Sequence, residues 1–346
     1  MKVVIIWWTS GFGKWLAKYI KNNFAVEITV TGRNLEKWQK VAKELNINFT
    51  NDNIQAVKDA NIVIFSTPIS KMEQTIKEVW PHIKPNTIVA DVCSIKGFVS
   101  KALNKYCKDC IIIPTHPMFW PYVSSIAEQI FVLTADEKTQ KTSAYKWLKD
   151  YLEKNEAKVI ETTPEKHDKM MGIVQGLTHV NMFTIWETIR RLWVPVEETL
   201  QFVSPIYKLL IASVARYVWH DPKLYGDIQM YNPEVLKVHE KFMEVINDFN
   251  QAVENKDEKK FVSIIQQTKE FFWPQNCEFW QKYTDKLIYF VAEQREKVQN
   301  WIWKKLTFKN IYDGKTVSEV VKSVKGDEIL LENWKKIDLN EYIIVS

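Results

Sequence analysis

The chain has 346 residues, 46% of them hydrophobic and 26% charged, a length and balance that suit two compact domains with sizeable cores and a small appendage. No apolar run approaches the roughly 20 residues of a membrane span, and Met1-Lys2-Val3-Val4 opens a strand with no signal-peptide pattern, so a cytoplasmic protein with no membrane partner is expected. The net charge of +5 is spread along the chain, and short runs such as Lys304-Lys305 and Lys335-Lys336 read as solvated faces, which excludes a nucleic-acid footprint but leaves a small anionic substrate compatible.

The N-terminal half has the rhythm of an α/β fold with a Rossmann-type doubly wound sheet. Val3 to Trp7 is an apolar strand that runs into Trp8-Thr9-Ser10-Gly11-Phe12-Gly13, the place of the G-x-G-x-x-G turn that cradles a dinucleotide pyrophosphate. Only the third glycine of that pattern is present. Lys14 to Phe24 has helical spacing and Val26 to Thr31 alternates as a second strand, completing a βαβ opening. Thr31-Gly32-Arg33-Asn34 then holds no carboxylate to repel a 2′-phosphate, and Arg33 is suited to pair with one, so NADP is preferred to NAD. A helix over Leu35 to Leu45 precedes a buried strand, Ala60 to Phe65, which ends in Ser66-Thr67-Pro68 at the edge that faces a cofactor in such sheets. Thr87 to Val92 delivers Cys93-Ser94-Ile95-Lys96, and Cys110 to Ile113 delivers Pro114-Thr115-His116-Pro117. Ile130 to Leu133 and Ala157 to Ile160 read as the last strands, separated by a helix over Glu137 to Asn155. Cys107-x-x-Cys110 has neither a second pair nor a histidine spaced to complete a zinc site, so no metal is expected.

A boundary falls near Thr162-Thr163-Pro164, giving a dinucleotide-binding domain over 1–162. From there to about Val298 the periodicity is helical, an all-helical substrate and dimerisation domain over 163–298. The remainder, 299–346, reads as a small α/β module of unknown role, with strands over Leu306 to Ile311, Glu328 to Leu331 and Tyr342 to Val345 and a brief helix over Val317 to Val324.

Context separates the six histidines. His82, His220 and His239 sit in ordinary helical or loop settings, whereas His116 stands at a strand end between apolar residues and Pro117, a placement that favours function. His167 and His179 share one helix, but twelve residues at 3.6 per turn leave them roughly 120° apart, so they need not share a site. Gly172 and Gly176 lie near the His179 face, where a neighbouring element can approach closely. Arg216 is an arginine on a largely apolar helix and needs an anionic partner if buried.

At these residues the chain resembles the prephenate dehydrogenase family of tyrosine biosynthesis. The matching segments are Asp91-Val92-Cys93-Ser94-Ile95-Lys96, Thr115-His116-Pro117-Met118-Phe119, His167-Asp168, Gln175-Gly176-Leu177-Thr178-His179, Ser204-Pro205-Ile206-Tyr207, and Arg216 followed by Asp221-Pro222-Lys223-Leu224-Tyr225-Gly226-Asp227-Ile228. The resemblance covers about residues 1–295 and leaves the tail uncovered. The resemblance implies oxidative decarboxylation of prephenate to 4-hydroxyphenylpyruvate with hydride transfer to NAD(P)+. It implies His116 as the base on the ring hydroxyl and Ser94 as the group orienting that hydroxyl and imidazole. Arg216 would bind a substrate carboxylate, His179 would line the pocket, and His167 would stand behind it. The cofactor would lie on Trp8, Thr9, Ser10, Gly11, Phe12, Gly13, Arg33, Ser66 and Thr67, and a homodimer would form through the helical domain. Arogenate remains open as the substrate, and so does a folded but catalytically silent chain.

That last alternative comes from glycine usage. An average of about 7% would give about 24 glycines, against the 9 Gly and 15 Trp present. Trp7, Trp8, Trp38, Trp80, Trp120, Trp193, Trp219, Trp273, Trp280, Trp303 and Trp334 stand where local context or the family pattern has glycine, as though tryptophan had replaced it. An indole at position 8 would occupy pyrophosphate space, and Trp120 would crowd the loop after His116.

Overall fold

β1 (Lys2–Trp7) sends Val3 and Ile5 to one face and Val4 and Ile6 to the other, all four almost inaccessible to solvent. Both faces of the sheet are therefore covered, as a parallel sheet requires. β2 (Glu27–Thr31), β3 (Asn48–Thr50), β4 (Ile62–Ser66), β5 (Ile88–Asp91) and β6 (Ile111–Pro117) run parallel to it in the spatial order β3-β2-β1-β4-β5-β6. β7 (Ile130–Leu133) pairs antiparallel with β6, and β8 (Lys158–Glu161) closes the eight-stranded sheet. The order reverses between β1 and β4, the switch point at which such sheets open a ligand crevice. α1 (Gly11–Asn23), α2 (Leu35–Leu45), α3 (Asn53–Val57), α4 (Met72–Val79), α5 (Gly97–Tyr106), α6 (Glu137–Gln140) and α7 (Ser143–Lys154) connect the strands. The single helix expected over Glu137 to Asn155 is interrupted, because Thr142 turns its hydroxyl onto the Tyr145 amide and caps a new helix.

This computed structural model describes residues 1–7, 11–32, 34–272 and 274–345, which divide into two compact units, Met1–Val245 and Ile246–Ser346. After β8 the chain is helical. Thr163 caps α8 (Pro164–Met171) with Pro164 at its first position, the local reason for a change of architecture there. α8 runs without a break through a π-helical turn, Gly172–Leu177, into α9 (Thr178–Arg191). α10 (Val196–Thr199), α11 (Pro205–Trp219) and α12 (Pro222–Tyr231) follow, and the division between the units falls inside α13 (Val235–Glu254).

The second unit contains α14 (Glu258–Phe272), α15 (Pro274–Asn300) and a five-stranded antiparallel sheet in the order β12-β11-β10-β9-β13. Its strands are β9 (Lys305–Asn310), β10 (Thr316–Lys325), β11 (Glu328–Leu331), β12 (Lys336–Asp338) and β13 (Tyr342–Ile344). Val298, Leu306, Phe308, Val321, Ile329, Leu331 and Ile337 form its core. The helix expected over Val317 to Val324 is instead most of β10. Val317, Val320, Val321 and Val324 match a helical period, but the pairing shifts register between Val321 and Ser323, and that irregularity breaks the two-residue alternation that would have revealed the strand.

Three of the eleven singled-out tryptophans have left-handed backbone: Trp193 (φ 57°), Trp303 (φ 69°) and Trp334 (φ 65°). Trp193 follows the end of α9, and Trp334 lies in the β11–β12 hairpin loop, both places where glycine is the favoured residue. Among the described residues no helix is long and apolar enough to cross a membrane.

Candidate active site

The strand ends deliver the reactive groups, as expected, and a helix from the other side locks them. His116, 3% exposed, is still within β6, and its Nδ1 lies 2.9 Å from His167 Nε2 on α8. His167 Nδ1 in turn lies 2.8 Å from Asp168 Oδ1. Asp168 is fixed by the loop after β5: the Lys96 amide donates to Oδ1 and the Gly97 amide to Oδ2, each at 2.8 Å. A Cβ on residue 97 would sit 2.7 Å from Asp168 Oδ2, so only glycine allows this approach. Asn232 Nδ2 also donates to the Asp168 carbonyl, at 2.9 Å.

These contacts assign the tautomers. A carboxylate that already accepts two amides is an acceptor only, so His167 carries its proton on Nδ1 and offers a lone pair at Nε2. His116 then donates Nδ1–H to it. The free lone pair of His116 is on Nε2. Burial, helped by the Lys96 ammonium, holds His116 well below the ordinary histidine range, so the imidazole is neutral and able to take up a proton.

Beneath this line lies a wholly buried ion pair. Lys96 Nζ bonds Asp91 Oδ1 and the Thr115 carbonyl, Asp91 Oδ1 also accepts the Cys93 amide at 2.8 Å, and the Thr115 hydroxyl donates to the Asp91 carbonyl at 2.5 Å. Ser94, within the same loop, is half-buried and has no hydrogen bond to His116 among the described residues.

A second cluster gathers on the helices. His179 is buried, with its ring 4.9 Å from Tyr225 and 5.2 Å from Tyr217, and burial lowers it to about 4. His179 Nδ1 and the Tyr225 hydroxyl are buried without a partner among the described residues, two polar groups that a ligand can satisfy. Gly176 lets α13 approach α9, since a Cβ there would be 2.8 Å from Val235 Cγ2. Between His167 and His179 the helix is not a plain α-helix: the π-helical turn Gly172–Leu177 intervenes, so the separation of roughly 120° counted at 3.6 residues per turn does not carry over.

Arg216, next to Tyr217, is exposed and makes no ion pair among the described residues, so the buried anionic partner considered for it is not needed. Its guanidinium lies 4.8 Å over the Trp120 ring, and His220 stacks on the same ring at 4.8 Å. Trp120 therefore links the loop after His116 to α11.

At the cofactor turn, α1 begins at Gly11, which packs against Pro121, and Gly13 is buried. Phe12 contacts Trp15 and Phe119, with ring centres 5.4 and 5.6 Å apart. Ser66 ends β4, and the Thr67 hydroxyl is committed to Met72 Sδ at 3.2 Å. Trp8, Thr9, Ser10 and Arg33 lie outside the described residues. Asp168, Lys96 and Asp91 stand in the segments that carry the resemblance but were given no role there, although charged residues closing an apolar strand (Asp91-x-x-Ser94-x-Lys96) were a signal. Among the described residues, no group of three or more His, Cys, Asp or Glu is placed to hold a metal.

Two family models match the chain: prephenate dehydrogenase, nucleotide-binding domain, over residues 16–161, and prephenate dehydrogenase, dimerization domain, over residues 163–267. The chain is 39% identical over 342 residues to the probable arogenate/prephenate dehydrogenase of Methanocaldococcus jannaschii, covering 98% of this chain and 76% of that protein. It is 27% identical over 272 residues to the T-protein of Haemophilus influenzae, covering 78% and 67%. Prephenate dehydrogenase from A. aeolicus, solved with hydroxyphenyl propionate and NAD+, shares the fold with a TM-score of 0.64 at 20% identity, over 78% of this chain and 96% of that one. Synechocystis arogenate dehydrogenase does so with a TM-score of 0.59 at 18% identity, over 78% and 98%. With both parts matched in order and close similarity to one relative over nearly its whole length, this chain belongs to the prephenate dehydrogenase family of nicotinamide-dependent oxidoreductases.

Proposed function

We propose that this chain converts prephenate to 4-hydroxyphenylpyruvate and carbon dioxide, with arogenate as the alternative substrate of the same ring chemistry. The observation that carries this reading is the line Asp168–His167–His116, which fixes a neutral imidazole with its Nε2 lone pair free at a strand end. His116 Nε2 takes the proton of the ring hydroxyl as hydride leaves the carbon that bears it, the substrate carboxyl leaves as carbon dioxide with its bonding pair passing into the ring, and the resulting aromatic phenolate regains a proton. Aromatisation supplies the driving force, so the protein need provide little beyond a base, an anion clamp and positioning. Arg216 is the clamp: an exposed guanidinium with its fork unpaired is suited to bidentate pairing with a carboxylate. His179 and Tyr225 contribute unpartnered polar atoms to the substrate pocket, and Ser94 lies in the loop that also carries Lys96.

The fold suits a dinucleotide, since the switch point adjoins β1 and α1 starts with small residues, Gly11 and the buried Gly13. A nicotinamide dinucleotide held by the β1–α1 turn, with Ser66 and Thr67 on the neighbouring strand end, supplies the acceptor for the hydride leaving the carbinol carbon. We favour NADP because Thr31 to Asn34 contains Arg33 and no carboxylate. The domains are taken as 1–162, 163–298 and 299–346, with the middle one forming a homodimer in the cytoplasm.

Mixing the protein with NADP+ and prephenate, and separately with arogenate, while following the absorbance of the reduced nicotinamide tests the reading. Turnover is expected with at least one of them. Should the chain be silent and show no NADP+-induced thermal shift, Trp7→Gly with Trp8→Gly is expected to restore both; a restored chain that binds NADP+ yet oxidises neither substrate would refute the assignment.

A further inference from the structure

We propose that the buried Lys96–Asp91 pair is a positioning element for His116, tying its backbone to the end of β5 and setting a fixed positive charge beside the base. The proposal rests on the reading of His116 as the base. Both side chains are fully inaccessible, and two charges withdrawn from water at that depth recover their desolvation penalty only with good mutual pairing. This pair does not use all of its capacity: Asp91 Oδ2 is buried with no partner among the described residues. Lys96 instead spends a donor on the carbonyl of Thr115, the residue preceding His116, while the Thr115 hydroxyl returns to the Asp91 carbonyl. Two bonds therefore lace β5 to β6 at the residue before the base. An apolar pair of the same volume would fill the space and leave the bond from Thr115 to the Asp91 backbone, but could not make the one from Lys96.

The charge matters as well as the bonds. The titratable groups acting on His116 are Lys96, from the loop after β5, and His167 on α8, with Asp91, Cys93 and Asp168 set against those two. Burial pushes the Cys93 thiol up to about 12, so it remains neutral. Burial also raises the Asp91 carboxyl, against the pull of Lys96. Of these groups, the ammonium of Lys96 opposes protonation of His116. A base kept proton-free in this way stays competent as the solution becomes more acidic. Removing the ammonium lets His116 hold its proton to higher pH.

The test compares the full chain with two variants, Asp91→Asn/Lys96→Met, which removes both charges together, and Lys96→Gln, which keeps a polar side chain without the charge. The His116 ring is followed by NMR through a pH titration without cofactor or substrate, its signal identified by its loss in His116→Asn. The titration midpoint is expected to rise by roughly half a pH unit or more in either folded variant, and the acid limb of the kcat/KM profile to move the same way. An unmoved midpoint in a variant that melts like the parent would leave Lys96 a purely structural residue and overturn the proposal. If the midpoint moves but His116→Asn turns over normally, the electrostatic coupling stands while both the base reading and the positioning role built on it fall.

Discussion

Replacing His167 with leucine tests the relay at its middle link. The substitution keeps an apolar side chain in a site that is 2% exposed, and leaves Asp168 its two backbone amides from Lys96 and Gly97. What disappears is the acceptor 2.9 Å from His116 Nδ1. A buried N–H left without a partner costs about 1–3 kcal/mol, and His116 avoids that cost by moving its proton to Nε2, which turns the base into a donor. General-base catalysis is worth roughly 10²–10⁴ in rate, so kcat of His167→Leu is expected to fall by about two to three orders of magnitude. KM should change by no more than about threefold, because no substrate contact is assigned to this ring. The assay is steady-state reduction of NADP+ in a chain with measurable turnover, alongside a thermal melt to establish folding. A folded variant with kcat/KM close to that of the parent would refute the relay, whatever the role of His116.

Two further predictions follow from the tryptophans. Trp120→Gly removes the ring under the Arg216 guanidinium, a cation–π contact worth about 0.5–2 kcal/mol, so the clamp is released and KM for the substrate is expected to fall by roughly 2- to 30-fold; an unchanged or higher KM in a folded variant would show that the ring does not compete with substrate. Trp193→Gly and Trp303→Gly relieve left-handed backbone that costs a non-glycine residue roughly 1–2 kcal/mol, partly offset by about 0.5–1 kcal/mol from the freer unfolded chain. Both rings are largely exposed, so little burial is lost, and a small rise in Tm is expected for each; a clear fall in Tm would count against the backbone argument.

The sheet of the first unit was legible because buried parallel strands are short apolar runs, and Val3 to Ile6, Ile62 to Phe65 and Ile88 to Asp91 lie where such runs occur. The change from strand to helix at Pro164 was legible for an equally local reason, a capping threonine followed by proline. His116 could be singled out because its position at a strand end is itself a local property. β10 was misread because a shift of register within a strand imitates helical spacing, and nothing in the local pattern distinguishes the two.

What the sequence determined, then, was whatever depends on neighbours along the chain: most of the strands, the helical character after 163, and the placement of His116 at a strand end. The tertiary structure decided which distant residues meet. An α-helical count separates His167 from His179 by about 120°, and the π-turn of Gly172–Leu177 between them changes that count, because the choice of an i→i+5 hydrogen bond is not written in the apolar pattern. Likewise, 72 residues separate the Lys96 amide from the Asp168 carboxylate that accepts it. Arg216 was expected to need an anionic partner if buried, yet it lies exposed over Trp120, since exposure depends on what packs against α11 and not on α11 itself.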